Sequence, residues 1–327
     1  MPVMSYIQAI TSTLKEELER DDKVFILGED VGKKGGVFRA TDGLYDQFGE
    51  ERVIDTPLAE SAIAGVGIGA AMYGMRPVAE MQFADFIMPA VNQIISEAAK
   101  TRYRSNNDWN CPITIRAPYG GGVNGALYHS QSVESVFANQ PGLKIVMPST
   151  PYDVKGLLKA SIRDNDPVLF FEHKRAYRLL KGDVPEEDYV LPIGKADVKR
   201  EGSDVTIITY GLCVHFALQA AEKLQEEGID AHILDLRTVY PLDKDGIIEA
   251  AKKTGKVLLI TEDNKEGSII GEVSAIIAEN CLFDLDAPVQ RLAGPDVPSM
   301  PYAPTMEKYF MMNPDKVETA IRELAEF

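Results

Sequence analysis

The sequence predicts an α/β protein of two domains with mainly parallel sheets, and three observations carry that prediction. The chain has 327 residues, about twice the roughly 150 residues of an ordinary domain. Short β-branched and apolar runs alternate with amphipathic stretches through both halves, the pattern of a parallel sheet covered on both faces. Between Leu180 and Gly202 that pattern lapses into charge, proline and glycine, which marks a linker. The expected boundaries are a first domain over 1–180, a linker over 181–202 and a second domain over 203–327.

Ile7, Ile10, Leu14 and Leu18 recur at helical spacing between Ser5 and Arg20, and Val24-Phe25-Ile26-Leu27 follows as a short buried strand. Gly28-Glu29-Asp30-Val31-Gly32, extended by Gly35-Gly36, is the loop after that strand. Loops in this position gather ligands in open parallel sheets, although a plain turn has the same composition. Asp42 to Phe48 reads as a short helix and Val53-Ile54 as an extended segment. The run Thr56-Pro57-Leu58-Ala59-Glu60-Ser61-Ala62-Ile63-Ala64-Gly65-Val66-Gly67-Ile68-Gly69 predicts a helix capped by Thr56 with Pro57 in its first turn. Glu60 then lies in an apolar helix, where a carboxylate needs a partner or a proton. Its plain alternative is a helix-start glutamate complementing the dipole.

Pro77 to Glu80 reads as a strand. Phe83 to Arg102 reads as a long helix with Phe86, Ala90, Ile94, Ile95 and Ala98 on one face and Pro89 near its start. Ile113-Thr114-Ile115 is a strand, and the glycine-dense loop Gly120 to Ser130 follows it. Glycines there allow close approach of backbone to a ligand or serve only as a flexible connector. His129, one of four histidines, ends that loop as an acid–base candidate. Lys144–Met147 and Val168–Phe171 are strands around a helix over Pro151–Arg163. In the second half Val205–Thr209, Ala231–Leu234 and Lys256–Ile260 read as strands. Leu212–Glu227, Asp243–Lys253, Ile269–Asn280 and Pro314–Leu324 read as helices.

The balance of 34 basic and 50 acidic residues, a net charge of −16, argues against a nucleic-acid surface and against attraction to anionic lipid, and suits a basic protein partner. No apolar run approaches the roughly 20 residues of a membrane span, and the start lacks the basic and apolar regions of a signal peptide, so a cytoplasmic protein is expected. Cys111, Cys213 and Cys281 are odd in number and far apart, which supports neither a disulfide framework nor a zinc knuckle. Gly65, Gly67 and Ala70 match a loose dinucleotide fingerprint with Asp85 further on, which raises a nicotinamide-dependent oxidoreductase. That fingerprint needs a strand immediately before its first glycine, and a helix is expected there instead.

Six separated motifs change the weight of these readings: Gly28 to Gly32, Thr56 to Glu60, Gln82-Phe83-Ala84-Asp85-Phe86, Gly120 to Ser130 with His129, Pro148-Ser149-Thr150-Pro151, and Asp235-Leu236-Arg237-Thr238. Through them, from Tyr6 to Phe327, the chain resembles the β subunits of the thiamine-diphosphate-dependent component of the 2-oxoacid dehydrogenase complexes. The resemblance implies a transketolase-like architecture, with a pyrimidine-binding domain followed by a transketolase-type C-terminal domain.

It also implies roles for single residues. Glu60 matches the glutamate that bonds N1′ of the cofactor aminopyrimidine and favours the imino tautomer, whose exocyclic nitrogen can take the thiazolium C2 proton. Phe86 matches the aromatic wall against that ring, and Leu58 and Gln82 lie among the cofactor-binding positions. His129 matches the histidine facing the substrate and the incoming lipoyl group. Ile113, Thr114, Ser161, Asp164 and Asp166 match an alkali-ion site, a possible K+ site with oxygen-only ligation; Asp166 departs from the amide expected there, and a solvated loop is the alternative.

The chain has no Gly-Asp-Gly, the motif by which such enzymes hold Mg2+ and the diphosphate. The resemblance therefore implies that an α subunit supplies those ligands, that the active site is shared, and that the assembly is a heterotetramer with two of each chain. Small residues at Gly125 and Ala126 before His129 are most like the branched-chain type, which implies 2-oxo acids of valine, leucine and isoleucine as substrates. A pyruvate or acetoin dehydrogenase β subunit is the alternative, and a non-catalytic scaffold subunit is a remote one. A lipoyl acyltransferase core is the further partner implied, with Asp284, Asp286 and the Phe327 carboxylate as candidate anchors.

Overall fold

Strands form where the β-branched runs lie. In the computed structural model, which describes residues 1–327, the first half contains β1 (Val3–Ser5), β2 (Val24–Gly28), β3 (Val53–Asp55), β4 (Arg76–Glu80), β5 (Thr114–Tyr119), β6 (Lys144–Val146), β7 (Val168–His173) and β8 (Lys181–Asp183). Six of them pair in parallel in the order β6-β7-β5-β4-β2-β3. Every residue of β2, β5 and β7 is buried, as a parallel sheet covered on both faces requires. Gly28 and Glu80 pair at one end of this sheet, as do Tyr119 and His173, and the loops leaving that end carry the motifs.

Helix Tyr6–Arg20 starts with a capping box in which Ser5 Oγ accepts from Gln8 N and Gln8 Oε1 accepts from Ser5 N. Its face of Ile10, Leu14 and Leu18 packs with Val154, Leu157 and Leu158 of helix Pro151–Arg163 in one core. Thr150 caps the latter helix and Pro151 occupies its first turn.

The second half contains β9 (Asp197–Arg200), β10 (Val205–Thr209), β11 (Ala231–Asp235), β12 (Thr238–Tyr240), β13 (Val257–Asn264) and β14 (Gln290–Gly294). Its sheet runs β14-β13-β10-β11-β9, parallel except for β9 at one edge. Helices Cys213–Gln225, Lys244–Thr254, Ile269–Cys281 and Pro314–Ala325 accompany it.

The chain divides into two units, Met1–Tyr119 with Val136–Ile193, and Gly120–Ser135 with Gly194–Phe327. The glycine-dense loop thus groups with the later half, although it lies in sequence between β5 and β6. Between 181 and 202, β8 pairs with β1 and β9 edges the second sheet. No helix is long and apolar enough to cross a membrane.

Two expectations are corrected. The long helix over Phe83–Arg102 is broken into a 3-10 helix over Ala84–Ala90, a π turn over Gln93–Ala98 and an α-helical turn over Thr101–Arg104. Pro89 lacks the N–H that a continuous helix needs. The helix expected from Thr56 begins at Glu60 instead, with Ala59 at its N-cap and no side-chain cap.

Candidate active site

Glu60 is the first residue of its helix and is half-buried, a position where the helix dipole favours a carboxylate. The segment before it is tied to the end of β2, since Thr56 N donates to Gly28 O at 2.9 Å. Thr56 Oγ1 is buried with no protein partner, a polar atom four residues before Glu60 to which a ligand group can bond. Gly65, Gly67 and Ala70 lie inside the helix, not after a strand, which removes the context the dinucleotide fingerprint needs. Gly67 has a packing reason. A Cβ there would lie 2.8 Å from Ile113 Cδ1, so glycine lets the helix close onto the residue that leads into β5.

Glu29, in the loop after β2, has its carboxyl held above the usual range by burial and then by the negative charges of Asp30 and Glu60. Glu29 therefore lies within electrostatic reach of Glu60. Gln82 Nε2 approaches Glu29 O at 3.5 Å, which brings Gln82 into the same group. Phe86 is half-buried and meets Phe83 edge-on at 5.5 Å between centroids, and Phe83 meets Phe38 at 5.3 Å. Leu58 is 70 % exposed, an apolar side chain open to a ligand or a second chain. The predicted residues Leu58, Glu60, Gln82 and Phe86 thus all belong to the first unit, in the segments that follow β3 and β4.

Sequence reasoning missed what supports them. Arg116, fully buried on β5, donates through Nη1 to Glu80 Oε2 at 2.7 Å. Through Nε and Nη2 it donates to the two Glu172 oxygens at 2.6 and 2.7 Å. Tyr177 Oη donates to Glu172 Oε2 at 2.6 Å. A bidentate pair of this kind fixes geometry as well as charge. Burial pushes the Glu80 carboxyl up, and a Cβ on Gly36 would meet Glu80 Oε1 at 3.2 Å, so the network lies directly under the first ligand loop. An arginine inside an otherwise apolar strand was the available signal, because a buried guanidinium needs acidic partners.

His129 belongs to the second unit and is half-buried. Gly121 N donates to Glu262 Oε1 at 2.6 Å, while Gly122 N and Asn124 N donate to Glu307 Oε1 at 3.2 and 3.1 Å. Further along the loop, Ser135 Oγ donates to Asp263 at 2.6 Å and Tyr210 Oη to Glu134 at 2.8 Å. Glu134 is fully buried, and burial followed by the charge of Asp263 pushes its carboxyl up to about 8; burial raises Asp263 as well. Asn124 and Ala126 both take φ of +56°, a left-handed conformation costing on the order of 1–3 kcal/mol for a residue with a side chain. The loop is therefore held in a form it would not adopt alone. Neither Glu262 nor Glu307 was singled out from the sequence, since an acidic residue that accepts from a distant loop has no local signature for such a role.

The suggested alkali-ion residues come together in the first unit, but the oxygens of Ile113, Ser161, Asp164 and Asp166 already have partners. Lys144 Nζ lies 3.7 Å from Asp166, and Arg102 Nε donates to Asp166 at 2.5 Å. Lys144 also forms an ion pair with Asp164, whose carbonyl accepts from Arg76 at 2.9 Å. Ile113 O accepts from Val168 N, Thr114 opens β5, Ser161 O accepts from Asp164 N, and Ser161 Oγ donates to Leu157 O. Two protein cations neutralise the two carboxylates and Arg76 adds a third positive charge, so this arrangement does not fit an alkali ion. No group of three His, Cys, Asp or Glu is placed to hold a metal, and the three cysteines are free and buried. Asp284 pairs with Lys252 at 3.3 Å beside the fully exposed Phe283, and Phe327 is exposed.

Comparison with known proteins bears on this geometry. The family described as "Transketolase, pyrimidine binding domain" matches residues 3–179, and "Transketolase, C-terminal domain" matches 194–317. The chain is 82% identical to the 2-oxoisovalerate dehydrogenase subunit beta of Bacillus subtilis (strain 168) over 327 residues, covering 100% of both chains. It is 49% identical to the pyruvate dehydrogenase E1 component subunit beta of the same organism over the same span, again covering 100% of both. A solved structure titled "Split gene transketolase, inactive beta4 tetramer" superposes with a TM-score of 0.80 at 23% identity, covering 99% of this chain and 98% of that one. At that identity the likeness concerns the fold.

Proposed function

Because the chain belongs to the β subunits of the 2-oxoacid dehydrogenases, built from the transketolase pyrimidine-binding and C-terminal domains, we propose that it serves a branched-chain 2-oxoacid dehydrogenase in the cytoplasm. With an α subunit it decarboxylates the 2-oxo acids of valine, leucine and isoleucine and passes the acyl group to lipoyl groups of an acyltransferase core. The observation that carries the substrate is the identity of 82% to a 2-oxoisovalerate subunit against 49% to a pyruvate subunit, each over both whole chains.

The residues of the first unit fit the pyrimidine end of thiamine diphosphate: a carboxylate at a helix start, a neighbouring carboxyl that is raised, an unpartnered Thr56 hydroxyl and an aromatic face at Phe86. When bound, that cofactor supplies the carbon nucleophile and the electron sink for loss of carbon dioxide. Glu60 would hold N1′ of the pyrimidine and manage a proton there. Phe86 and Leu58 would give apolar contact to the ring, and Gln82, bonded to Glu29 O, would hold the loop around it. His129 orients the substrate carboxylate or carries a proton during acyl transfer. The small side chain at Ala126 leaves room for a branched group, while the space beside Gly125 is taken by His129.

Mg2+ and the diphosphate fall to the α subunit, since this chain has neither the Gly-Asp-Gly motif nor an acidic cluster built for a metal. Each cofactor then needs one surface from each kind of chain, which gives two of each in the assembly. No step uses an alkali ion at Asp164 and Asp166, whose charges Lys144 and Arg102 meet. The deciding experiment mixes the purified chain with its α subunit and compares turnover of 3-methyl-2-oxobutanoate and pyruvate. Full decarboxylation by the isolated β chain, or preference for pyruvate, would overturn the proposal.

A further inference from the structure

Glu307 lies on the short helix Pro304–Phe310, with its side chain turned inward and the residue 6% exposed. One of its oxygens accepts from the backbone N–H groups of both Gly122 and Asn124. Converging amides in a turn make a site for negative charge, and here the charge is the protein's own. The same turn is pinned at Gly121, whose N–H bonds Glu262. A Cβ at Gly121 would come within 2.5 Å of Met300 Cε and 2.7 Å of Met311 Sδ.

From this clamp the chain reaches the histidine in one close step. Asn124, held by Glu307, is followed by Gly125, and a Cβ there would lie 2.7 Å from His129 O and 2.8 Å from His129 Cβ. Gly125 is therefore packed against His129 itself. Left-handed backbone at Gly122, Asn124 and Ala126 folds the loop tightly enough to make that contact. Without an acceptor for the Gly122 and Asn124 amides, the turn loses two of the bonds that offset the strain at its two non-glycine positions.

We infer that Glu307 is a positioning residue for His129, acting through the Gly122–Gly125 backbone; the inference rests on the role given to His129 above. The αβ holoenzyme carrying Glu307→Ala is measured beside Glu307→Gln, His129→Ala and the Glu307→Ala/His129→Ala double variant. Glutamine keeps an acceptor oxygen and alanine does not. Glu307→Ala is expected to lower lipoyl acylation about 10²-fold, the scale of a 1 Å misplacement. Decarboxylation read with an artificial electron acceptor should fall no further than it does in His129→Ala, and thiamine diphosphate should protect the assembly from heat as in the parent. Glu307→Gln should restore most of the acylation rate, and the double variant should be no worse than His129→Ala.

Normal acylation by Glu307→Ala beside a depressed His129→Ala sinks the role of Glu307 alone. Normal acylation by His129→Ala removes the role of His129 and this inference with it. Equal losses in Glu307→Ala and Glu307→Gln, with cofactor protection lost, would show a merely structural residue and overturn the inference.

Discussion

Lys144 donates to both carboxylate oxygens of Asp164, at 2.7 and 2.6 Å. An ammonium in that position supplies the charge an alkali ion would bring. Thermal stability of the chain is therefore expected to be the same in potassium chloride and in choline chloride at equal ionic strength. Lys144→Met should cost about 1–3 kcal/mol, because it leaves a half-buried carboxylate with only the Asp166 N–H as donor. A rise in melting temperature specific to potassium would show an ion at this turn after all.

Glu60→Gln should leave the fold intact, since Glu60 makes no cap bond and opens its helix from a partly exposed position. Turnover by the αβ assembly should fall about 10²–10⁴-fold, the range for loss of an acid–base group. Circular dichroism and steady-state rates together check this; a normal rate would make Glu60 structural.

Substrate choice should follow pocket volume. One methylene in an apolar pocket is worth about 1–3 kcal/mol, or roughly 10–200-fold in kcat/KM. The 2-oxo acids of valine, leucine and isoleucine should all exceed pyruvate, with measurable activity on shorter acids. Enlarging Ala126 to leucine should narrow that gap, which competition assays between two acids can read.

The raised carboxyl of Glu134 makes a prediction about pH. Its value near 8 in the fold lies above the ordinary 4.5, so the folded protein binds a proton that the unfolded chain has released. This contribution is fully present below about pH 4.5 and is lost as pH rises through about 8. Glu134→Gln mimics the protonated acid without titrating, so its melting temperature should gain on that of the parent between pH 5 and 8. Parallel curves across that range would place the proton elsewhere.

Docking to the acyltransferase core should weaken as salt rises, because charges are screened over roughly 8 Å at physiological ionic strength. Reversing Asp284 and Asp286 together, or removing the last few residues, should reduce core binding while sparing decarboxylation by the free αβ assembly. Asp284 already faces Lys252, so its single reversal should have the smaller effect. Sedimentation with the core at several salt concentrations decides; binding indifferent to both changes would move the contact to the α subunit.

Much of this was legible in the residues. Val24–Leu27, Pro151–Arg163 and Val205–Thr209 combine propensity, period and caps that agree, and they form where expected. The break at Pro89 was under-read because its apolar face keeps a helical period that the backbone cannot follow. Helix Pro304–Phe310 was missed because seven residues carry too little periodicity, and with it went Glu307. β14 was missed for a related reason, since none of its first four residues is fully buried. The positions of Glu60 and Phe86 came from motif likeness. The Arg116, Glu80 and Glu172 network required pairing of strands far apart in sequence, which local pattern cannot supply.

The excursion of Gly120–Ser135 into the later unit means that the backbone passes between the two units three times, after Tyr119, after Ser135 and after Ile193. A single protease nick between Ile193 and Gly194 would sever only the last passage. The amino-terminal fragment would still hold residues 120–135, gripped by Glu262, Glu307, Asp263 and Tyr210 of the carboxy-terminal fragment. The cut protein should therefore travel as one species on a native gel and separate into two bands only in denaturant. For the same reason, expression of residues 1–193 alone would yield a piece whose histidine-bearing loop has lost its host.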